Sequence, residues 1–325
     1  MQFTRLRRSR KTDWSRNLFA ETRLTAQDLI LPLFVIEGKN IAQKIPHLPQ
    51  VERLTIDLVV KKAKQAQSLG IPAVMLFPVI DQKLKTIDGK EAFNAKNLMC
   101  RAVQEIKKHV PNIGVICDVA LDPYTSHGHD GIIDKNGYVL NDETVALLCK
   151  QALVQAKAGC DIISPSDMMD GRVAAIRSTL DAAGFVDVAI MSYSAKYASN
   201  FYGPFRHAVG SAGNLKNGDK KTYQMDFHNS REAMREIEQD ILEGADSIII
   251  KPGLPYLDII KEASQNFAVP LIAYQVSGEY AMLKFAAQND SFDFMKTMIE
   301  SLIACKRAGC AAIISYAAIE VAQTF

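Results

Sequence analysis

One local pattern recurs four times in this chain and limits what it can fold into. A segment of helical apolar periodicity ends in glycine, and an apolar run begins at once. The instances are SLG-IPAVMLF from Ser68, KAG-CDIISPS from Lys157, EGAD-SIIIKPG from Glu243 and RAG-CAAIISY from Arg307. Each reads as a helix, a left-handed glycine cap and a buried strand. Strands that are apolar almost throughout are covered on both faces, as in parallel sheets.

Counting all such runs gives eight candidate strands, at 29–35, 73–78, 114–121, 161–165, 188–193, 247–251, 271–276 and 312–316. Helical periodicity lies between most of them, clearest at 56–69, 95–109, 142–158, 231–242 and 295–307. The alternation predicts an α/β fold, a (β/α)8 TIM barrel with an extended N-terminal arm. An open doubly wound sheet is the alternative. It usually carries G-x-G-x-x-G after its first strand, and this chain has none. The stretch GNLKNGDK at 213–220 is not a P-loop, because its Gly and Lys are not adjacent and no strand precedes it. The expected division is an arm at 1–28 and a catalytic barrel at 29–325. The glycine-rich stretch 202–225 is too long for an ordinary connection, so a lid is expected at about 197–225.

The 325 residues carry 38 Lys+Arg against 36 Asp+Glu, a net +2. That balance argues against a dedicated nucleic-acid binder, and no apolar run is long enough for a membrane span. The basic N-terminus (Arg5, Arg7, Arg8, Arg10, Lys11) has no apolar segment behind it, so it does not read as a secretory signal. It reads as a solvated or subunit-wrapping arm, and a cytoplasmic location is expected by elimination. Six cysteines without a CxxC pair read as reduced, mostly buried thiols.

Active sites of such barrels lie at the C-terminal ends of the strands. Polar groups gather there from six of them. Strand three ends in Asp118 and Asp122 and leads into PYTSHGHDG, with His127, His129 and Asp130. Strand four ends in Ser164, Ser166 and Asp167. Lys196 follows strand five, Lys251 ends strand six, Ser277 follows strand seven and Tyr316 ends strand eight. Lys251, after three isoleucines, must place its ammonium at the mouth or meet a heavy desolvation cost. Burial beside a second cation, Lys196, lowers an amine's pKa, and a neutral lysine attacks ketones to form Schiff bases. A strand-end lysine that snorkels to solvent is the bland alternative. Carboxylates without thiols suit hard cations or an ammonium rather than structural zinc. Lid cations Arg206, Lys220 and Lys221 suit a substrate with carboxylates.

The strings DVALDPYTSHGHDG, SPSDMMDGR, SYSAKYASNFYGPFR, KPGLPYLD and VSGEYAM, in this order, resemble the porphobilinogen synthase (5-aminolevulinate dehydratase) family over nearly the whole chain. The resemblance implies condensation of two 5-aminolevulinate molecules into porphobilinogen with loss of two waters, an early step of tetrapyrrole (haem) synthesis. It implies a homo-octamer held by the arm. It makes Lys251 the Schiff-base lysine for the first substrate, with Ser277 and Tyr316 on that substrate's carboxylate. Lys196 becomes the lysine for the second substrate, with Arg206, Lys220 and Gln224 on its carboxylate and Tyr202 also on the substrate. Lys220 stands where other members carry arginine, which removes bidentate binding there. Asp118 and Ser166 are implied as polar partners of amino groups and proton transfers. Ala120, Asp122 and Asp130 replace the three cysteines of the zinc-dependent branch. The resemblance is therefore to the aspartate-rich, magnesium-responsive branch. It implies no active-site zinc, an amino-group role for Asp122 and Asp130, and Glu236 as ligand of an allosteric Mg²⁺. A class I aldolase-like barrel with one reactive lysine and a non-catalytic barrel binding nucleic acid through the arm are the competing readings.

Overall fold

The computed structural model describes residues 3–209 and 219–325, apart from the side chains of Arg206 and His207. Eight parallel strands close on themselves: β1 (Leu29–Ile36), β2 (Ala73–Pro78), β3 (Gly114–Val119), β4 (Ile162–Pro165), β5 (Ala189–Lys196), β6 (Ser247–Lys251), β7 (Leu271–Tyr274) and β8 (Ala312–Ile314). β8 pairs back onto β1 through Leu29↔Ile313 and Ile30↔Ile314, which completes the barrel. The layer of helices is α1 (Ile56–Ser68), α2 (Leu98–His109), α3 (Asn141–Lys157), α4 (Arg172–Ala182), α5 (Arg231–Leu242), α6 (Leu257–Asn266), α7 (Phe294–Ala308) and the short α8 (Ala318–Ala322). The fold is a (β/α)8 TIM barrel.

The recurrent glycine does what the sequence predicts. Gly70, Gly159, Gly244 and Gly309 all have φ between +81° and +127°, where a side chain is strained. A Cβ on Gly309 would also lie 2.4 Å from the Ser264 Cβ. The aspartates that open two of the following strands have a second role. Asp161 accepts the Val115 N–H at 2.8 Å and Asp246 accepts the Ile190 N–H at 2.7 Å. Each ties down the start of the neighbouring strand, where a backbone donor would otherwise be orphaned. β1, β2 and β6 are buried along almost their whole length, as both-face coverage requires.

Several elements differ from the sequence expectation, and the third and eighth strands stop two residues short of it, at Val119 and Ile314. β5 runs on to Lys196 instead of stopping at Tyr193. The stretch read as one loop from 202 contains the helix Gly203–Ala208, and its residues 210–218 lie outside the described residues. β7 stops at Tyr274 instead of Val276, and Ser277 opens an additional helix, Ser277–Gln288. Two small antiparallel pairs are also present, Ala42–Lys44 with Glu52–Thr55 and Ile132–Ile133 with Val139–Leu140. They are too short for a period-2 pattern to register. Among the described residues, no helix is long and apolar enough to cross a membrane.

Candidate active site

Lys251 is the last residue of β6, and its neighbours in the barrel are aromatic. Nζ lies 4.6 Å from the centre of the Tyr274 ring, 5.0 Å from those of Tyr193 and Phe205, and 5.1 Å from that of Tyr202. The Tyr202 hydroxyl also donates to the Lys251 carbonyl at 3.1 Å. Burial, then the nearby Lys196 charge, pulls the amine down to about 7, against the pull of Asp118, Asp122 and Asp130. The ring faces favour the cation, and burial outweighs them. Lys251 is thus neutral in a large fraction at ordinary pH.

Lys196, the last residue of β5, is equally buried. It donates to the Ser166 carbonyl and lies 3.9 Å from Asp130 Oδ2. Asp118, in β3, is pushed up to about 7 by burial and by Asp122, with Lys196 and Lys251 opposing. Its Oδ1 is buried without a hydrogen-bond partner among the described residues. Asp118 and Lys251 act on each other's charge at one mouth, each opposing the shift that burial imposes on the other.

The loop after β3 brings Asp122 and Asp130 together, and Lys220 joins them. Lys220 Nζ donates to Asp130 Oδ1 at 2.9 Å and Asp122 Oδ2 at 3.3 Å. Burial alone would raise the Asp130 pKa, but Lys196 and Lys220 bring it down to about 2, whereas burial raises Asp122. Lys220, expected on the second substrate's carboxylate, is held by two carboxylates here, so its ammonium meets the groups expected to hold an amine. Two carboxylates without a thiol form a hard, all-oxygen donor set, and here it faces an ammonium.

Tyr202, Gln224 and Ser166 line the cavity with the lysines and aspartates. Ser277 and Tyr316 do not line it. Ser277 Oγ accepts the Phe205 N–H at 2.9 Å, and Tyr316 shares a hydrogen bond with Tyr274 at 3.3 Å. The Phe205 ring packs on Phe34 and Phe77, and Phe34 stacks on Tyr316. The Arg206 side chain lies outside the described residues. His127 faces the Ile87 carbonyl at 3.2 Å and His129 the Tyr223 hydroxyl at 3.2 Å, which makes them loop-fixing groups. Glu236 does not line this cavity; it lies on α5, half-buried near Asp170, Asp240, Glu232 and Arg172. Among the described residues no group of three or more His, Cys, Asp or Glu is arranged around a metal position.

Sequence reading missed three groups. The aromatic walls Tyr193, Phe205 and Tyr274 read as core residues. Lys85 is buried near Asp122, and its Nζ lacks a hydrogen-bond partner among the described residues. Glu279 accepts the backbone N–H groups of Leu254 at 2.7 Å, Val276 at 2.8 Å and Gly253 at 3.2 Å. It thereby ties the turn after Lys251 to the end of β7. A glutamate between Gly and Tyr gives no sign of this in the sequence.

A closed (β/α)8 barrel with two buried lysines and three carboxylates at its C-terminal mouth is a barrel enzyme of amine and carbonyl chemistry. The delta-aminolevulinic acid dehydratase family model matches residues 3–324. The delta-aminolevulinic acid dehydratase of Bradyrhizobium diazoefficiens is 58% identical over 319 residues, 98% of this chain and 90% of that protein. That of Rhodobacter capsulatus is 48% identical over 312 residues, 96% of this chain and 93% of that protein. The crystal structure of the Toxoplasma gondii delta-aminolevulinic acid dehydratase (porphobilinogen synthase), in complex with its product porphobilinogen, matches with a TM-score of 0.97. It is 46% identical and covers 100% of this chain and 92% of that one. The chain belongs to the delta-aminolevulinic acid dehydratase family.

Proposed function

We infer that this chain condenses two molecules of 5-aminolevulinate into porphobilinogen, with loss of two waters, and that it does so through Schiff bases on Lys251 and Lys196. The observation that carries the lysine roles is the level pairing of the two amines at one mouth, with Lys251 near neutrality. A neutral amine adds to the substrate ketone and expels water. The resulting imine becomes an iminium by taking up a proton at its nitrogen, and the four rings around Lys251 face that charge. Carbon–carbon and carbon–nitrogen bonds then form between two molecules held side by side, and proximity supplies much of the rate. Asp118 and Ser166, beside both lysines, serve the proton transfers and the amino groups.

Asp122 and Asp130 are the amine site. Lys220 occupies them between turnovers and yields them to a substrate ammonium of the same charge. The mouth is closed over a cavity of about 40 Å³, room for a few waters and no substrate. Entry requires residues 203–209 and 219–225 to move apart, which frees Lys220 and Gln224 for the second carboxylate. The same movement withdraws Phe205 and opens the way from Lys251 to Ser277 and Tyr316, the groups for the first carboxylate.

Glu236 fits a Mg²⁺ held largely through water. Burial raises its pKa, and Asp240, Asp170 and Glu232 add to this against Arg172 alone, so a cation beside it relieves like-charge repulsion. Bound there, Mg²⁺ supplies charge and order outside the cavity that the two lysines line. The arm exposes Phe3, Leu6, Trp14, Leu18 and Phe19. That apolar surface fits burial against further copies of this chain, as a homo-octamer. Colour formation with an aminobenzaldehyde reagent after incubation with 5-aminolevulinate tests the activity. Product from the parent chain and none from Lys251→Ala is the expected result, and product formation by Lys251→Ala contradicts the reading.

A further inference from the structure

β5 and β6 do not run in a single register. Ser247 pairs with Met191 and Ile248 with Ser192, but Ile250 pairs with Ala195 and Lys251 with Lys196. One extra residue therefore lies on β5 between the two pairs. Carried on unchanged, the first register would set Ala195 opposite Lys251, and Lys196 would turn to the other face of the wall. The extra residue lets Tyr193 and Lys196 both face the interior. The Tyr193 ring lies 5.0 Å from Lys251 Nζ and 5.9 Å from Lys196 Nζ. Ser192 points the other way, and its Oγ donates to Asp240 Oδ2 at 2.7 Å.

We propose that Arg172 is the positioning residue for Lys196, holding the extra residue of β5 and the loop after β4 so that Lys196 stands level with Lys251. The proposal rests on the reading of Lys196 as a reacting lysine. Arg172 is 2% exposed, at the start of α4. Its Nη2 donates to the Tyr193 carbonyl at 3.2 Å, within the irregular stretch, and to Ser192 Oγ at 3.1 Å. Its fork closes on Asp240 at 3.0 and 3.1 Å. Its Nη1 donates to the Met169 carbonyl at 3.3 Å, next to Met168, whose φ is +70°. Three residues earlier, the Ser166 carbonyl receives Lys196 Nζ. Both features that aim Lys196 thus converge on one guanidinium. Stability alone does not call for it, because apolar residues commonly replace buried ion pairs without loss. Lys196 in turn helps to keep Lys251 neutral, since its charge is the second-largest cause of the lowered Lys251 pKa.

The test pairs Arg172→Met with Asp240→Leu, which removes both members of the buried ion pair, and compares it with the parent chain; Asp167, whose Oδ2 lies 3.8 Å from Arg172 Nε, keeps its bond from the Met169 N–H. Competitive acetylation by acetic anhydride over a pH series, read by peptide mass mapping, reports each lysine without using substrate. Expected are faster labelling of Lys196 and a Lys251 midpoint above about 7, with Lys251 labelling at neutral pH down roughly tenfold. Unchanged profiles for both lysines would overturn the proposal, whatever happens to the melting temperature. Should the double variant fail to fold, Arg172→Lys is read the same way, because one ammonium cannot reach Asp240, Ser192 and Tyr193 together. Borohydride reduction of the parent chain with 5-aminolevulinate separates the two claims. An adduct on Lys251 alone removes the covalent role of Lys196, while the acetylation profiles still decide the role of Arg172.

Discussion

Lys196 and Lys251 are register partners across β5 and β6, so their amines leave the barrel wall at one height. Burial, and then the Lys196 charge beside it, lowers the pKa of Lys251 to about 7. Below about 7 it is protonated and cannot attack a ketone. Adduct formation at Lys251 should fall about tenfold per pH unit on the acid side. Lys196→Met removes the neighbouring charge, so the midpoint should move upward. A downward move or none contradicts the account.

Lys220 and Asp130 give a second pH effect. Asp130 is depressed from 3.8 to about 2, so the pair stabilises the closed mouth fully above 3.8 and loses that stability as pH falls towards 2. Lys220→Met strands two buried carboxylates, which costs about 3–5 kcal/mol where the segment cannot detach. Limited proteolysis within residues 219–225 should therefore speed up at neutral pH in the variant, with activity lost. A cleavage rate equal to the parent's contradicts the assigned contact.

Glu279 holds the turn after Lys251 through three backbone N–H groups. Burial, against those bonds, raises it from 4.5 to about 7. Folding therefore favours the protonated form. The stabilising contribution is complete below 4.5 and is lost as pH rises through about 7. Glu279→Gln should flatten the pH dependence of the melting temperature across this window and lower stability by about 1–3 kcal/mol, since one N–H then faces an amide N–H. Glu279→Ala should cost more and slow adduct formation at Lys251. Denaturant melts at several pH values check both.

At Glu236, Mg²⁺ should raise the melting temperature of the parent chain, and Glu236→Gln should abolish the rise while leaving the metal-free stability within about 1 kcal/mol of the parent's. An undiminished rise in the variant would place the cation elsewhere.

The barrel was legible because its signals are local. Four helices are each followed by a glycine with positive φ and then an apolar run, so Gly70, Gly159, Gly244 and Gly309 mark the repeat in the sequence itself. The rim residues followed from their strand-end positions, and Asp118, Asp122, Asp130, Ser166, Lys196 and Lys251 do meet at one cavity. What stayed hidden depends on pairing between distant segments. The extra residue in β5 is a property of two strands in register, so Lys196 read as lying beyond its strand. The hold of Lys220 on Asp122 and Asp130 joins residues about ninety apart in the chain. Tyr193 and Tyr274 carry the periodicity of core residues because they are core residues, and only the position of Lys251 turns their faces into an active-site wall.

The central claim is that Lys251 forms the Schiff base on which turnover depends. Sodium borohydride added during turnover of 5-aminolevulinate, followed by peptide mass mapping, tests it most directly. The account predicts a reduced substrate adduct on Lys251, formed more slowly as pH falls below about 7. A fully active enzyme that yields no adduct on Lys251 at any pH would contradict it.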